Sequence, residues 1–385
     1  MQRRTQLSPR EPTREVLYDL IRSREQVTRS DLVEATGMSR SAINHAVARL
    51  LSEGRVTEAE AESKGPGSGS GRPGALLRAV PGEGHVAGID FGHDHVQVAV
   101  ADALGSPLAE RRTQLSVDLH ANEAMDLAAA TLASLCDDLG VPDLKSLTAG
   151  IPGPIDSRSG LVRSPTILSG WVGLDPATEL RQRIGVPVHT ENDAFLGAFG
   201  ERVRGVGREH TDFLYVKVSG GIGASPVING EPYRGATGLA GEIGHTPLAG
   251  RTELCRCGNR GCLEAVVSIQ TVREQIAHTH PGQHLDDVAL ESLDDPTTHR
   301  ILNEAGRTVG SVLADLVNLL NPGALVLGGE LGCAGRAFVE GVSAAVTRRA
   351  QPASADVVDI RPASLGVRSE LVGALQHAVR AALLR

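Results

Sequence analysis

The feature that most constrains this chain is a unit that occurs twice, in which two apolar strands flank a turn rich in glycine. The first copy spans residues 86–100 around Gly92, and the second spans residues 213–228 around the glycines of residues 220–223. Apolar runs of this length predict buried strands, and the glycines predict tight turns between them. The duplication predicts two lobes, and a ligand would lie in the cleft between them.

Helices alternate with strands around these two units, which predicts an α/β architecture. Helices are expected near residues 124–139, 193–202 and 308–320, and strands near residues 147–151 and 325–327. The chain has 385 residues, which exceeds the usual size of one hydrophobic core. More than one domain is therefore expected.

Three short helices are predicted before the first repeated unit. Apolar residues recur at helical spacing over residues 14–24, and Thr28 with Asp31 forms a capping signal for a second helix that ends near Gly37. Ser39 can cap a third helix, one face of which is apolar. The residues of that face are Ile43, Ala46, Val47 and Leu50.

The other faces of the third helix are polar, as in the recognition helix of a helix-turn-helix that lies in the major groove. The predicted DNA contacts on this helix are Arg40, Ser41, Asn44, His45 and Arg49. Strands are expected over residues 55–58 and 75–78, and the Gly/Ser-rich run between them predicts a wing with Arg72 at its tip, suited to a narrow minor groove. The alternative is a small helical domain that contacts other proteins.

Charge and hydropathy exclude two classes of protein. The formal net charge of −8 argues against a protein that binds nucleic acid with its whole surface. No apolar run approaches the roughly 20 residues that span a bilayer, and the N-terminus lacks the apolar stretch of a secretory signal. We therefore expect a cytoplasmic protein with no membrane partner.

Three of the five cysteines lie within one short segment, as Cys255, Cys257 and Cys262. Together with His245 upstream, they satisfy the tetrahedral Cys₃His preference of structural zinc and leave no position open for a catalytic water. The segment is too short to bury an apolar core, so a metal would supply much of its order. The alternative, reduced cysteines packed in a core, fits poorly with the polar residues between them.

Six segments resemble motifs of the ROK family, whose members are repressors and sugar kinases on an actin-like ATPase fold. They are Asp-Phe-Gly at 90–92, Gly-Ile-Pro-Gly-Pro at 150–154, Glu-Asn-Asp-Ala at 191–194, Gly-Glu-Ile-Gly-His at 241–245, the cysteine segment at 255–264 and Leu-Gly-Gly at 327–329. This resemblance covers nearly the whole chain. It implies an N-terminal winged helix-turn-helix (α+β) followed by an α/β actin-like fold of two lobes.

The same resemblance suggests domain boundaries. The winged helix-turn-helix would occupy residues 1–64, and the wing and linker residues 65–82. The sugar-kinase-like effector domain would occupy residues 83–385. Its small lobe would span about residues 83–194 plus the C-terminal helix, and its large lobe about residues 195–370.

By resemblance, a set of polar residues should contact the hydroxyls of a sugar, which both donate and accept hydrogen bonds. The set is Asn192, Asp193, Glu242, His245 and Glu264. His245 would use one ring nitrogen for zinc and the other for the sugar. In kinases of the family, Asp193 would be the general base. Any single member, such as Glu242, could instead cap a turn.

Both phosphate-binding turns depart from the pattern of family kinases. His93 and Asp94 stand where those kinases have Gly-Thr, which places a carboxylate where a phosphate would approach. In the second turn Gly220 replaces a threonine and Ser225 replaces a glycine. We therefore expect a non-catalytic sugar sensor in which Asp193 is a vestigial base. An active ATP-dependent sugar kinase with a DNA-binding appendage is the alternative, and a third class acts mainly through protein partners.

The fusion of a DNA-binding segment to a sugar site suggests a repressor of carbohydrate-utilisation genes. A homodimer or tetramer would place two recognition helices on an inverted repeat, and sugar would change their separation. The sequence leaves open whether the sugar is an inducer or a corepressor. Residues 166–171 depart from the Asn-containing segment of many family glucokinases, so xylose, N-acetylglucosamine, glucosamine-type oligomers and a phosphorylated sugar all remain open beside glucose.

Overall fold

The chain divides into two compact units, Met1–Glu83 and Gly84–Arg385. The structure is a computed structural model. It describes residues 12–22, 27–59, 75–80, 82–164, 166–281 and 288–383. Among these residues, no helix is both long enough and apolar enough to cross a membrane.

The described part of the first unit contains three helices and a small antiparallel sheet in the order β1-β3-β2. In chain order its elements are α1 (Pro12–Arg22), β1 (Val27–Thr28), α2 (Arg29–Thr36), α3 (Arg40–Ser52), β2 (Val56–Ala59) and β3 (Leu76–Ala79). Strand β1, which the sequence did not predict, pairs with β3 through Val27 and Leu77. Two residues are too few for an alternating pattern to be visible.

Local capping signals set the ends of α2 and α3. The Thr28 side chain accepts from the Asp31 amide, and the Asp31 carboxylate accepts from the Thr28 amide, so the predicted capping box is present. Gly37 ends α2 with a left-handed conformation, and the Ser39 hydroxyl caps α3. The predicted apolar face of α3 is buried against α1 and the sheet.

The first sheet of the second unit has the strand order β6-β5-β4-β7-β8. Its strands are β4 (His85–Phe91), β5 (His95–Asp102), β6 (Pro107–Gln114), β7 (Leu144–Ile151) and β8 (Val188–Asn192). The first three pair antiparallel, whereas β7 pairs parallel with both β4 and β8. Helices α4 (Ala121–Leu139) and α5 (Pro176–Ile184) share an apolar core with this sheet.

The second sheet repeats this design with the order β11-β10-β9-β12-β13. Its strands are β9 (Phe213–Val218), β10 (Ile222–Ile228), β11 (Glu231–Pro232), β12 (Ala324–Gly328) and β13 (Asp359–Pro362). The associated helices are α7 (Leu263–Val266), α8 (Ile269–Thr279), α9 (Pro296–Leu320), α10 (Gly329–Gly332), α11 (Arg336–Arg349) and α12 (Pro352–Ala355). The predicted duplication is therefore confirmed, with a glycine turn between β4 and β5 and another between β9 and β10.

Two element boundaries differ from the sequence prediction. Strand β10 begins at Ile222, whereas the sequence suggests a second strand only around residues 226–228, because the antiparallel ladder with β9 continues through Gly223. Helix α9 begins at Pro296, twelve residues before the predicted start at Thr308. Its first turns are polar, so periodicity gave no signal there, although Asp295 caps the helix by accepting from two backbone amides.

Two helices join the sheets of the second unit. Helix α6 (Asp193–Arg204) packs against both sheets and against α13 (Ser369–Leu383). A Cβ atom at Gly197 would lie 2.3 Å from the Tyr215 ring on β9, and one at Gly373 would lie 1.8 Å from the Leu196 carbonyl oxygen. These contacts require glycine. They place the N-terminus of α6 between the two glycine turns.

Candidate functional site

The two glycine turns face each other across a cleft of about 750 Å³, part of which is open to solvent. We call one side of this cleft the acidic half; it consists of Asn192, Asp193, Lys217, Glu242, His245 and Glu264. We call the other side the turn half; it consists of His93, Asp94, His95, Ser219, Gly220, Gly221, Gln270 and Glu330. All five residues that sequence analysis assigned to sugar lie in the acidic half.

Asn192 and Asp193 lie where β8 ends and α6 begins. The Asn192 amide oxygen caps α6 by accepting from the Phe195 amide, and its NH₂ group donates to the Gly153 carbonyl at 3.2 Å. The Asp193 Oδ2 atom accepts from the Lys217 ammonium at 2.9 Å. Asn192 is therefore positioned by hydrogen bonds with the backbone. Asp193 is positioned by an ion pair with Lys217, a residue that the sequence did not indicate.

Glu242 and Glu264 provide two further carboxylates. Burial raises the pKa of Glu242 to about 7, and the charges of Asp193 and Glu264 add to this effect. Glu264 is only 9 % exposed, and its Oε2 atom accepts from the Ile222 amide at 3.2 Å. Its Oε1 atom is buried and has no hydrogen-bond partner within the described residues.

A tight backbone contact fixes the loop that carries Glu242 and His245. Gly241 has a φ of 102°, and a Cβ atom there would lie 1.7 Å from the Ala224 carbonyl oxygen on β10. Only glycine fits this position. The motif Gly-Glu-Ile-Gly-His is thus anchored to the second sheet, directly beside the second glycine turn.

The candidate metal centre adjoins the acidic half. The ligand atoms of His245, Cys255, Cys257 and Cys262 all lie within 4.8 Å of one another. The Cys257 and Cys262 sulfurs are 3.8 Å apart, and His245 Nδ1 lies 3.7 Å from the Cys255 sulfur. His245 Nε2 points the other way, 3.8 Å from Glu242. This group could hold a metal ion while leaving Nε2 to the cleft.

In the first glycine turn, His93 rather than Asp94 reaches toward the second turn. A Cβ atom at Gly221 would lie 3.0 Å from His93 Nε2. His93 Nδ1 lies 2.7 Å from one oxygen of Asp118, and Arg256 donates to the other at 2.9 Å. Asp118, in the loop after β6, therefore links His93 of the first glycine turn to Arg256 of the cysteine segment.

The Asp94 side chain is turned back onto His95. His95 Nδ1 lies 2.8 Å from Asp94, and the hydrogen bond lowers the pKa of Asp94 to about 2. Burial opposes the charge on His95, but hydrogen bonds to Asp90 and Asp94 outweigh it and raise the pKa of His95. The predicted carboxylate is present in the turn half, although its charge is partly balanced by this ring.

Glu330 contacts Ser219 at the start of the second glycine turn. The Ser219 hydroxyl donates to Glu330 at 3.3 Å, and Arg273 donates to its other oxygen at 3.3 Å. With Glu264 on the Ile222 amide, two protein carboxylates contact donors in or beside this turn. The departures from the family sequence pattern at Gly220 and Ser225 lie near these two contacts, and Ser225 itself is buried.

The polar surface of α3 forms a second candidate site, in the first unit. Every residue assigned to DNA on this helix is exposed. The set is Arg40, Ser41, Asn44, His45 and Arg49. Arg55, another basic residue of the region, lies 4.0 Å above the Tyr18 ring, and Arg29 forms an ion pair with Glu58. Arg72 lies outside the described residues.

Several cleft residues were missed by sequence reasoning. They are Ile167, Lys217, Ser219, Gln270 and Glu330. Lys217 carried a signal, because it is the one charge in an otherwise apolar strand. In the divergent segment 166–171, only Ile167 lines the cleft; Trp171 is buried in the first core, where it donates to the Val117 carbonyl.

Comparison with known proteins identifies relatives of both kinds expected from the motifs. The model of the ROK family matches residues 86–381. The xylose repressor of Bacillus spizizenii is 27% identical over 351 residues, which cover 90% of this chain and 89% of that protein.

Solved structures show the same fold. The crystal structure of a ROK family transcriptional regulator, a homologue of the Escherichia coli MLC protein, superposes with a TM-score of 0.68 at 20% identity, covering 97% of each chain. A ROK family glucokinase from Streptomyces griseus, in complex with glucose and AMPPNP, superposes with a TM-score of 0.67 at 25% identity. That match covers 77% of this chain and 100% of the glucokinase.

Proposed function

The chain belongs to the ROK family, and we propose that it is a DNA-binding transcriptional repressor controlled by a sugar that binds in the cleft of its family domain. The observation that carries this proposal is the unequal filling of the cleft. The acidic half offers acceptors to a ligand, whereas the turn half is occupied by the protein's own side chains. The full-length similarity to a xylose repressor supports it.

The acidic half suits a sugar because its groups have complementary hydrogen-bonding roles. The carboxylates of Asp193, Glu242 and Glu264 can accept from sugar hydroxyls. His245 Nε2 adds a ring nitrogen from the metal side. Xylose is the first sugar to test, because it is the sugar in the name of the repressor relative.

The turn half is poorly suited to ATP. Phosphoryl transfer requires backbone donors and positive charge around the phosphates. Here the Ile222 amide donates to Glu264 and the Ser219 hydroxyl donates to Glu330. The His93 ring lies close to Gly221, and the Asp94 carboxylate places a negative charge in the first glycine turn. These contacts support a sensor without kinase activity, in which Asp193 binds sugar.

We assign structural zinc to the cysteine cluster. Tetrahedral zinc with Zn–S distances of about 2.3 Å separates neighbouring sulfurs by about 3.8 Å. The Cys257–Cys262 separation is 3.8 Å, and the His245–Cys255 separation of 3.7 Å is of the same order. Three thiolates and one imidazole complete the coordination, so zinc here would brace the His245 loop and the start of α7, which carries Glu264, rather than perform catalysis.

We interpret the first unit as a winged helix-turn-helix. Helices α2 and α3 are joined by a turn at Gly37, and strands β2 and β3 are placed to flank a wing. The exposed Arg40, Asn44 and His45 are suited to base edges and phosphates in the major groove. The wing-tip role of Arg72 remains part of the proposal.

Regulation would follow if the sugar bound the DNA-binding state and the DNA-free state of the protein with unequal affinity. A homodimer or tetramer would place two α3 helices on an inverted repeat, and sugar in the cleft would shift the protein away from the DNA-binding state. A coupling of about 1–3 kcal/mol would change operator affinity roughly 5- to 150-fold.

The test combines sugar titration with operator binding. Duplexes that bind the purified full chain are selected from a random library, and mobility shift is then measured with and without xylose, glucose, N-acetylglucosamine and their phosphates. We expect one sugar to change operator affinity at least fivefold, and Asn44→Ala to weaken operator binding about tenfold or more. Glu34→Ala, an exposed change on α2, is the control. No selected duplex, or equal affinity with every sugar, would contradict the proposal.

A further inference from the structure

A buried lysine lies at the base of the acidic half. Lys217 is on β9, in the second sheet, and its side chain is 13% exposed. Its ammonium lies 2.9 Å from Asp193 on α6 and 4.0 Å from Glu370 on α13. One ammonium therefore connects a strand of one lobe to the two helices that join the lobes.

Three buried carboxylates surround this ammonium. Asp90, Asp193 and Glu370 are 4%, 9% and 2% exposed. Burial opposes the charge on Lys217, but these three carboxylates outweigh it and raise its pKa. Asp90 also pairs with His95, and Glu370 accepts from the Tyr215 hydroxyl. Asp193 is the one of the three that lines the cleft, and Lys217 is its ion-pair partner.

The residue type is unusual for this chain. Lysine and arginine together number 38, and lysine occurs only as Lys64, Lys145 and Lys217. A compact ammonium has three donors that can be shared among separate carboxylates, whereas a guanidinium is a larger planar fork. The use of lysine here matches a small, enclosed site shared by several acceptors.

We propose that Lys217 is a positioning residue of the sugar site, whose ammonium holds the Asp193 carboxylate as a fixed acceptor for a sugar hydroxyl and ties it to the second sheet. This inference rests on the proposed sugar-binding function. One oxygen of Asp193 is taken by the ammonium and the other accepts from the Ala194 amide. The carboxylate is thereby oriented as a hydrogen-bonding group instead of being left free to take a proton from substrate.

The test uses the scarcity of lysine. Full-length protein labelled with ¹³C only in lysine side chains gives three sets of signals, and Lys217→Met assigns one of them. Sugar is expected to shift the Lys217 signal and leave that of the exposed Lys145 in place. Calorimetry measures affinity for the same sugar and for its deoxy analogues in wild type, Lys217→Met, Asp193→Asn and the double variant, with Lys145→Met as the matched control.

We expect Lys217→Met to weaken sugar binding about tenfold or more and to lose discrimination against one deoxy analogue, because Asp193 is no longer oriented. The double variant should bind no more weakly than Asp193→Asn alone, and it removes both charges if Lys217→Met alone unfolds. Sugar that binds wild type without moving the Lys217 signal, or additive losses in the double variant, would overturn the role of Lys217. Absence of any sugar binding to wild type would instead refute the proposed function.

Discussion

The acidic half and the turn half of the same cleft are filled differently. In the acidic half, Glu264 lines the cleft, and its buried Oε1 atom has no hydrogen-bond partner within the described residues. In the turn half, the Ser219 hydroxyl, His93 and Asp94 are all engaged by neighbouring side chains. Two donors in or beside the second glycine turn, the Ser219 hydroxyl and the Ile222 amide, are thus engaged by the protein's own carboxylates.

A solved regulator and a solved glucokinase share this fold. The two sheets and the helices α6 and α13 fix where ligands can lie, whereas a few side chains decide which ligand is accepted. We propose that the side chains here favour hydroxyl recognition over phosphate binding. The following predictions test whether the two halves are as independent as this comparison suggests.

The largest effect should follow loss of the metal ligands. Cys257→Ser, or removal of metal by a chelator, should abolish measurable sugar binding, because the His245 loop and the cysteine segment that leads into Glu264 would no longer be held together. Metal analysis of the purified protein and sugar calorimetry are the measurements. Cys136→Ser, at a cysteine outside the cluster, is the control. Unchanged sugar affinity in metal-free protein would show that the acidic half does not depend on this loop.

A smaller effect should separate the two halves directly. Asp193→Asn removes a charged acceptor from the acidic half and should weaken sugar binding roughly 10- to 100-fold, as expected for a hydrogen bond to a charged group. His93→Gly changes only the turn half and should alter sugar affinity by less than about threefold. Calorimetry with and without ATP measures both.

Phosphorylation of the sugar by wild-type protein would break this comparison. Such activity would mean that the contacts of Glu264 and Glu330 do not exclude ATP. If Asp193→Asn and His93→Gly reduced sugar affinity equally, the two halves would act as one site.

The smallest effect concerns packing behind the acidic half. Burial lowers the pKa of His377 to about 3, helped by the charges of His189, Arg234 and Arg380. Below pH 6.5 His377 is therefore protonated in the unfolded chain but stays neutral in the folded chain. The folded state keeps its full stability above pH 6.5 and loses free energy of unfolding as the pH falls toward 3. Between pH 6.5 and 5 the loss should be about 2 kcal/mol.

His377→Phe should remove this dependence, because it keeps an aromatic ring near Phe195 and Phe199 without a titrating group. Urea unfolding at pH 6.5 and 5 measures the difference in unfolding free energy for each variant. His299→Gln, at an exposed histidine, is the control. An equal pH dependence in wild type and His377→Phe would assign the acid sensitivity to other groups.

Local features were the most predictable from the sequence. The capping box at Thr28 and Asp31, the break at Gly37 and the Ser39 cap each depend on residues within four positions of one another. The buried face of α3 follows from helical spacing alone. Strand β1 and the first half of α9 were missed, because one is too short and the other too polar to show a period.

The cleft was predictable only where family motifs marked it. Motif resemblance pointed to Asp193, Glu242, His245 and Glu264, and the structure brings all four to one cleft. It did not indicate Lys217 or Glu330, whose partners are 24 and 111 residues away in sequence. Nor did it indicate that His93, rather than Asp94, would cover the second turn.

The sequence by itself determined the duplicated α/β architecture, the ligand set of the candidate metal centre and the polar face of α3, because each depends on spacing or on residues close along the chain. Tertiary structure alone decided which half of the cleft remains open. That outcome depends on contacts between residues far apart in the sequence, such as Glu264 with Ile222 and Lys217 with Asp193. Hydrogen bonds and ion pairs act over a few ångströms, so they depend on how the lobes fold together and not on the order of residues.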